Sequence, residues 1–161
     1  MNDFFFKIKQ QRLDFSGLCC ILDFILLIMA SNQITAITEL DKSHYKTKVY
    51  AGGHFIYADE PEEIGGTDEG MPPGALLLAS LGSCTAITIR MYADRKNYNL
   101  DAIKIELAIC KEEEMNKETR ITRKIEFSGN LTEDERQRLL VIADKCPIHK
   151  ILSNPIKIET S

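Results

Sequence analysis

The sequence lacks any excess of positive charge. Its 20 lysines and arginines are outnumbered by 24 acidic residues, which gives a net charge of −4 at pH 7. A protein that binds nucleic acid needs a basic face to displace the counterions of the phosphates. We therefore expect no nucleic-acid partner. Internal repeats and low-complexity segments are also absent from the sequence.

The cysteines lack the patterns of the common structural sites. There is no CxxC motif, which gives little support for a structural zinc site. The number of cysteines is odd and their spacing is irregular, unlike that of a secreted disulfide scaffold. We expect a protein of the reducing cytoplasm with neither metal nor cofactor. The five cysteines are Cys19, Cys20, Cys84, Cys110 and Cys146.

The N-terminal region lacks a hydrophobic run long enough to cross a membrane. The apolar run from Leu18 to Ala30 is shorter than the roughly 20 residues that a spanning helix needs. Asp23 also places a charge near its middle, where charge is costly in lipid. We interpret residues 1–28 as a mis-started or non-native extension and 29–161 as the domain, without stable membrane association. A membrane or export segment and an extra packed helix are the alternatives.

The rest of the chain has the composition of a soluble globular protein, with 44 % hydrophobic and 27 % charged residues. Several segments alternate apolar and polar residues, which is typical of half-buried strands. Gly52 and Gly53 indicate a hairpin between two of them. An acidic loop rich in glycine and proline follows at 60–73. The predicted strands are 34–40, 44–50, 54–59, 102–113, 119–129 and 155–161.

Two long segments and one short segment predict helices. Residues 73–96 begin with proline, which is favoured in a first helical turn, and their apolar side chains cover more than one face, which predicts burial. Residues 131–145 contain a capping box from Thr132 to Glu135. A short helix starts at Pro147. The order βββ-α-ββ-αα-β predicts an α+β protein with an antiparallel sheet around one central buried helix.

Cys84 lies about three turns inside the long helix, so the helix dipole gives its thiol little help. An activated thiolate needs a cation or a hydrogen-bond donor nearby. Arg90 is expected to point away from Cys84, and Arg95 lies too far along the helix axis. From spacing alone, the favoured interpretation of Cys84 is a small buried hydrophobic residue.

Cys146 is better placed for chemistry because it immediately precedes Pro147, at or near the N-cap of the short helix. The free amides and dipole there favour a thiolate, and His149 and Lys150 follow on the neighbouring face. The alternatives are a capping thiol with surface side chains, or half of a metal site whose other ligands are missing. No partner can be named for His44 or His54.

These residues resemble those of a known family. The segments "DEPEEIGGTDEGMPPGALLLASLGSCTAITIRMYADRK" and "LTEDERQRLLVIADKCPIHKIL" are similar to the two cysteine motifs of the OsmC/Ohr family. The resemblance covers essentially all of residues 29–161, whereas the sequence before Met29 falls outside it.

The resemblance implies an OsmC-like fold in an intertwined homodimer, with sheets around two central helices and active sites at the subunit interface. It also implies a thiol peroxidase that reduces organic hydroperoxides. Cys84 matches the family's peroxidatic cysteine and Cys146 its resolving cysteine, which would form an intramolecular disulfide. A dithiol reductant of the lipoyl or thioredoxin type would then restore the thiols.

The sequence departs from the family at one pair of residues. Members of the family carry a glutamate after the helix-opening proline, where this chain has Gly74 and then Ala75, and they use an arginine near the N-terminus, whereas 29–89 contains none. A second hypothesis is therefore a non-catalytic dimer that senses redox state or binds a ligand. The candidate substitutes for the missing pair are Glu60, Glu62, Glu63, Arg120 and Arg123.

Overall fold

The computed structural model describes residues 34–110 and 119–161. Contacts divide the described residues into two compact units, of which one contains 34–38 and 49–55 and the other contains 39–48, 56–110 and 119–161. The prediction for 1–28, together with Cys19 and Cys20, lies outside the described residues.

The fold is mixed α/β, with two small sheets and three α-helices in the described part of the chain. Strands β1, β2 and β3 form one sheet in that order, and β4 pairs antiparallel with β5. A short 3₁₀ segment, Glu62–Ile64, lies between β3 and the first helix. The elements are β1 Ala36–Glu39, β2 Thr47–Ala51, β3 His54–Ala58, α1 Pro73–Lys96, β4 Ala102–Ile109, β5 Ile121–Ser128, α2 Glu133–Ala143 and α3 Pro147–Leu152.

The hairpin between β2 and β3 is confirmed. Gly52 and Gly53 separate the strands with φ angles of 57° and 81°, a region that residues with a side chain rarely adopt. The rings of Tyr50 and Phe55 flank the turn with their centroids 6.1 Å apart. A glycine pair at this position therefore allows the tight reversal that the sequence predicted.

The prediction of a final strand at 155–161 is wrong. The segment has no strand structure, and Ile158 is 85 % exposed. Alternation of apolar and polar residues is only half of what a strand needs, because its backbone groups must also pair with a neighbouring edge. In the described residues no strand edge pairs with this segment.

Helix α1 has the bounds that the sequence predicted. It begins at Pro73 and ends at Lys96, where Asn97 adopts a left-handed conformation and its N–H bonds to the carbonyl of Ala93. Asparagine is one of the few residues that tolerate this conformation at a helix end. The helix is long and apolar enough to span a membrane by length and composition alone.

In the single chain, however, helix α1 is buried on one side only. The buried residues form one stripe at intervals of four, namely Leu81, Thr85, Ile89 and Ala93. Other large apolar side chains remain in solvent, with Ile87 59 % and Met91 64 % exposed. One chain supplies too few elements to cover the whole helix, so the prediction of a helix buried all round is wrong for the chain by itself.

The core lies between α1, α2 and the β4–β5 pair. Side chains on one face of the two strands are half-buried, and the register places Ile105 opposite Ile125 and Leu107 opposite Arg123. Arg123 thus stands on a strand face that is otherwise apolar. The buried cluster consists of Ile89, Ala93, Leu100, Leu139 and Ala143.

The two C-terminal helices begin as the sequence predicted. Thr132 and Glu135 form a complete capping box, in which the Glu135 amide donates to the Thr132 hydroxyl and the Thr132 amide donates to the Glu135 carboxylate. Helix α3 begins at Pro147 with Cys146 as its N-cap. The cap of α3 therefore places a sulfur at the start of a helix.

A buried carboxylate organises the acidic loop after β3. Asp59 is almost fully buried and accepts hydrogen bonds from the amides of Tyr45, Glu60, Thr67 and Glu69. The Thr67 hydroxyl also donates to it, at 2.6 Å. This hydroxyl is the largest of the contacts that hold the pKa of Asp59 well below its usual range, and the amide bonds add to it.

We predict that Asp59→Asn lowers the stability of the fold at neutral pH. The side-chain NH₂ group of asparagine would face backbone N–H groups that now donate to the carboxylate, and two donors cannot form a hydrogen bond. A depressed pKa contributes stability that is present above the unfolded-state value of about 3.9 and is lost as the pH falls below it. The variant should therefore lose the acid-dependent part of the wild-type stability curve. Urea unfolding between pH 3 and 7 measures this, with exposed Asp68→Asn as the control. Equal behaviour of the two variants would contradict the prediction.

Candidate active site

The fold brings Cys84 and Cys146 together from distant parts of the sequence. Cys84 lies on α1 beside Thr85 of the buried stripe, and Cys146 caps α3, which packs against α1. Both are free thiols that interact with each other through their sulfur atoms. Cys146 is fully buried, whereas Cys84 is half-buried. The thiol that solvent can reach is therefore that of Cys84.

The two sulfurs lie in different electrostatic surroundings. Burial raises the pKa of Cys84, and the neighbouring Cys146 raises it further, against smaller opposing contacts from the Ile148 amide and the Thr88 side chain. Burial also opposes ionisation of Cys146. Its pKa is nevertheless lowered by the Cys84 thiol, the His149 amide, the nearby Thr85 side chain and the Ile148 amide. The contacts therefore shift the pKa values of the two thiols in opposite directions, with that of Cys84 raised and that of Cys146 lowered.

The backbone amides at the start of α3 interact with the sulfur of Cys146, whereas most helix caps offer an oxygen. Helix α3 has no side-chain cap hydrogen bond of ordinary geometry. The Ile148 and His149 amides nevertheless contribute to the lowered pKa of Cys146. Sulfur is a weak acceptor as a thiol and a better one as a thiolate, so this cap favours the ionised form.

Thr85 connects the thiol pair to a buried cation. Its hydroxyl donates to the carbonyl of Leu81 at 2.7 Å and accepts from Nη1 of Arg123 at 3.0 Å. The threonine is fully buried and forms part of the stripe that fixes the rotation of α1. Thr85 is not among the site residues predicted from the sequence. The available signal was a polar residue at an otherwise apolar position of the stripe.

Arg123 spans the gap between α1 and the turn that leads to Cys146. Its Nη1 also donates to the carbonyl of Ala143 at 3.3 Å, and its Nη2 contacts Oδ1 of Asp144 at 2.6 Å. The side chain is only 14 % exposed. Among the substitutes considered for the missing arginine–glutamate pair, Arg123 is thus brought next to the residue that follows Cys84.

The other candidates occupy different places. Glu62 and Glu63 are exposed on the 3₁₀ segment, and Glu60 lies in the loop organised by Asp59. Arg120 precedes β5, where its carbonyl accepts from the amide of Cys110. Arg90 is directed away from Cys84, as predicted, and donates to the carbonyls of Leu100 and Asp101.

Cys110, His44 and His54 are not among the groups that shift the pKa values of the thiol pair. Cys110 directly follows β4, His54 begins β3, and the ring of His44 stacks obliquely near that of Tyr45. Across 34–110 and 119–161, no group of three or more cysteine, histidine or acidic side chains could hold a metal ion.

A cavity of about 1040 Å³ opens beside this arrangement. Leu81, Ile121 and Leu152 contribute apolar surface, and Arg123 and His149 contribute polar groups. Its volume is at the upper end of what small-molecule sites provide. Neither Cys84 nor Cys146 lines this cavity, which shares Arg123 and His149 with the surroundings of the pair.

The fold and this site define an α+β domain with a thiol on its central helix and a second thiol at the cap of a short helix. A family model described as OsmC-like protein matches residues 66–161, more than half of the chain. The chain therefore belongs to the OsmC-like family, and the resemblance found in the sequence is confirmed.

Solved structures share the fold at low sequence identity. An OsmC-like protein from Mycoplasma pneumoniae has a TM-score of 0.64 at 19 % identity, covering 76 % of this chain and 88 % of its own. An organic hydroperoxide resistance protein OsmC from Legionella pneumophila has a TM-score of 0.56 at 19 %, covering 77 % and 91 %. The organic hydroperoxide resistance protein OhrB of Bacillus subtilis has a TM-score of 0.53 at 18 %, covering 75 % and 90 %. No curated protein matches the sequence.

We predict that the two cysteines control each other's ionisation. In Cys146→Ala the pKa of Cys84 should fall, because the thiol contact and the charge that raise it are removed. In Cys84→Ala the pKa of Cys146 should rise, because a hydrogen-bond donor to its sulfur is lost. Alkylation rates of each cysteine between pH 5 and 10, resolved by peptide mass spectrometry, measure both values.

The matched control for this prediction is Cys110→Ala, which should leave both titrations unchanged because Cys110 is not among the groups that shift either pKa. A Cys84 titration that stays in place in Cys146→Ala would show that the two thiols are not coupled.

Proposed function

We propose that this protein is a cytoplasmic, cysteine-dependent reductase of organic hydroperoxides, with Cys84 as the attacking thiol and Cys146 as the resolving thiol. The observation that carries the proposal is the direct interaction of the two thiols inside the fold. Family membership supports it, since some structural relatives are described as organic hydroperoxide resistance proteins.

The burial of the two cysteines supports the roles proposed for them. A hydroperoxide must reach the sulfur that attacks it, and Cys84 is half-buried whereas Cys146 is fully buried. In the proposed cycle the Cys84 thiol passes its proton to the neighbouring Cys146 sulfur, a step that the raised pKa of Cys84 and the lowered pKa of Cys146 make uphill. Transfer of the proton along the contact between them generates the nucleophile at the accessible position.

The cycle follows from ordinary thiol chemistry. The Cys84 sulfur attacks the distal peroxide oxygen, the O–O bond breaks, and the alkoxide leaves as an alcohol after taking the proton from Cys146. The Cys146 thiolate then attacks the Cys84 sulfenic acid and forms the disulfide, while the hydroxide takes up a proton and leaves as water. The peroxide is reduced by two electrons, and an external dithiol returns two electrons and two protons to the cysteines.

The surroundings of Cys84 favour an organic peroxide over hydrogen peroxide. The helix that carries Cys84 is apolar over most of its length, and Leu81 and Ile121 line the neighbouring cavity. Apolar surface contributes binding energy to an alkyl group but none to hydrogen peroxide. The substrate would thus be selected by its organic group, and the reaction would take place at its peroxide group.

We also propose that the protein works as a homodimer. Ile87 and Met91 leave an apolar face of α1 in solvent, and a groove of about 500 Å³ runs between small residues of α1 and the β4 side chains Ile103, Ile105 and Leu107. A second copy of the chain would cover these surfaces and complete the burial of the central helix.

The alternative is a redox-sensing dimer without turnover, which the raised pKa of Cys84 favours. A sensor would form the disulfide once, whereas an enzyme would consume many equivalents of peroxide with a dithiol present. Steady-state consumption of peroxide therefore separates the two functions.

We predict that Cys84→Ser lowers the rate of organic hydroperoxide consumption by roughly 1000-fold or more, as loss of a nucleophile generally does. Without reductant, Cys146→Ser should react once and leave a sulfenic acid or a mixed adduct on Cys84, because the resolving thiol is absent. Consumption is measured with a lipoyl or thioredoxin-type reductant, and the adduct by mass spectrometry. Cys110→Ser is the control, and full activity of Cys84→Ser would refute the assignment.

We predict that Ile87→Lys or Met91→Lys converts a dimer into a monomer, because the new ammonium group would have to be buried at the interface. Light scattering after gel filtration measures the mass. Val141→Lys is the matched control, since Val141 is a similarly exposed apolar residue on α2. A wild-type chain that is monomeric at micromolar concentration would overturn the dimer proposal.

A further inference from the structure

We propose that Arg123 is a positioning residue that holds Cys84 and Cys146 at disulfide-forming distance and so sets the stability of the disulfide between them. The inference rests on the proposed function, because that disulfide is the intermediate of the proposed cycle. Arg123 itself exchanges neither electrons nor protons in it.

The contacts of Arg123 join the two elements that carry the cysteines. On one side its guanidinium donates to the Thr85 hydroxyl, one residue after Cys84. On the other side it contacts the Ala143 carbonyl and the Asp144 carboxylate, shortly before Cys146. A single rigid group therefore spans from α1 to the turn that leads into α3.

The location of Arg123 is unusual for a charged residue. It is only 14 % exposed and stands opposite Leu107 on a strand face that is otherwise apolar. A buried charge is costly unless its partners compensate it, and a hydrophobic residue of similar size would pack there more simply. The planar guanidinium of an arginine can donate to acceptors on two elements at once. The ammonium group of a lysine cannot do so in the same fixed geometry.

The guanidinium controls the distance between Cys84 and Cys146. A disulfide needs its two Cβ atoms within about 3.5–4.5 Å of each other, and departures from this geometry make the bond easier to reduce. Loosening of α1 from the turn after α2 would separate Cys84 from Cys146. Removal of the guanidinium should therefore shift the thiol–disulfide equilibrium towards the thiols.

The test measures that equilibrium without any peroxide. The reduced full-length chain is equilibrated with mixtures of oxidised and reduced dithiothreitol, which exchange two electrons and two protons with the cysteine pair. Peptide mass spectrometry quantifies the Cys84–Cys146 disulfide. Arg123→Met and Arg123→Lys are compared with the wild type and with Arg136→Met and Arg136→Lys.

Arg136 is the matched control because it makes similar contacts in another place. It is a part-buried arginine on α2 that donates to the carbonyls of Phe127 and Gly129, at 3.1 and 3.4 Å. Arg123→Met should lower the disulfide equilibrium constant about tenfold, which corresponds to about 30 mV for a two-electron couple. Arg123→Lys should lower it at least threefold. The Arg136 variants should lose stability without shifting the equilibrium.

The outcomes separate this inference from the proposed function. An equilibrium constant in Arg123→Met no lower than in Arg136→Met overturns the inference, as does a wild-type chain that forms no Cys84–Cys146 disulfide. If Arg123→Met does not fold, the folded Arg123→Lys variant decides, and an unchanged constant in it also overturns the inference. A shift in the Arg123 variants, with a wild-type chain inert to hydroperoxide, would support the inference and refute the peroxidase.

Discussion

The packing of one stripe of α1 is the constraint on which the rest of the structure depends. Leu81, Thr85, Ile89 and Ala93 recur at intervals of four and lie buried against the core. This stripe fixes the rotation of a 24-residue helix about its axis. Because Cys84 is the neighbour of Thr85, that rotation leaves its thiol half-buried at the margin of the core, where it meets Cys146 at the cap of α3.

The electrostatics of the site depend on short contacts more than on net charge. The buried guanidinium of Arg123 is compensated by the carboxylate of Asp144, so that pair adds little net field. The pKa of Cys146 is instead lowered by the Cys84 thiol and the Thr85 side chain of α1 and by two amides of α3 itself, so the α1 contacts are lost if α1 and α3 move apart. On the proposed function, reactivity is thus tied to the packing of two helices. The arginine–glutamate pair that the family uses would be replaced here by hydrogen bonding within the fold.

Features encoded locally were predictable, and features that need distant partners were not. The start of α1 at Pro73, the capping box of Thr132 and the cap of α3 at Cys146 each follow from a few adjacent residues, and the structure has them as predicted. The strand predicted at 155–161 failed because alternation cannot supply a pairing edge. Arg123 could be named only as one of five candidates. Its partner Thr85 lies 38 residues away, and only the folded packing of β5 against α1 brings them into contact.

The central claim is that Cys84 and Cys146 form one reactive unit, and a single-turnover experiment tests it most directly. The fully reduced chain is mixed with one equivalent of an organic hydroperoxide or of hydrogen peroxide, and free thiols are followed over seconds. The account predicts rapid loss of two thiols, faster with the organic peroxide, and a Cys84–Cys146 disulfide in the peptide map. Oxidation no faster than that of a free thiol, or a disulfide that involves another cysteine, would contradict it.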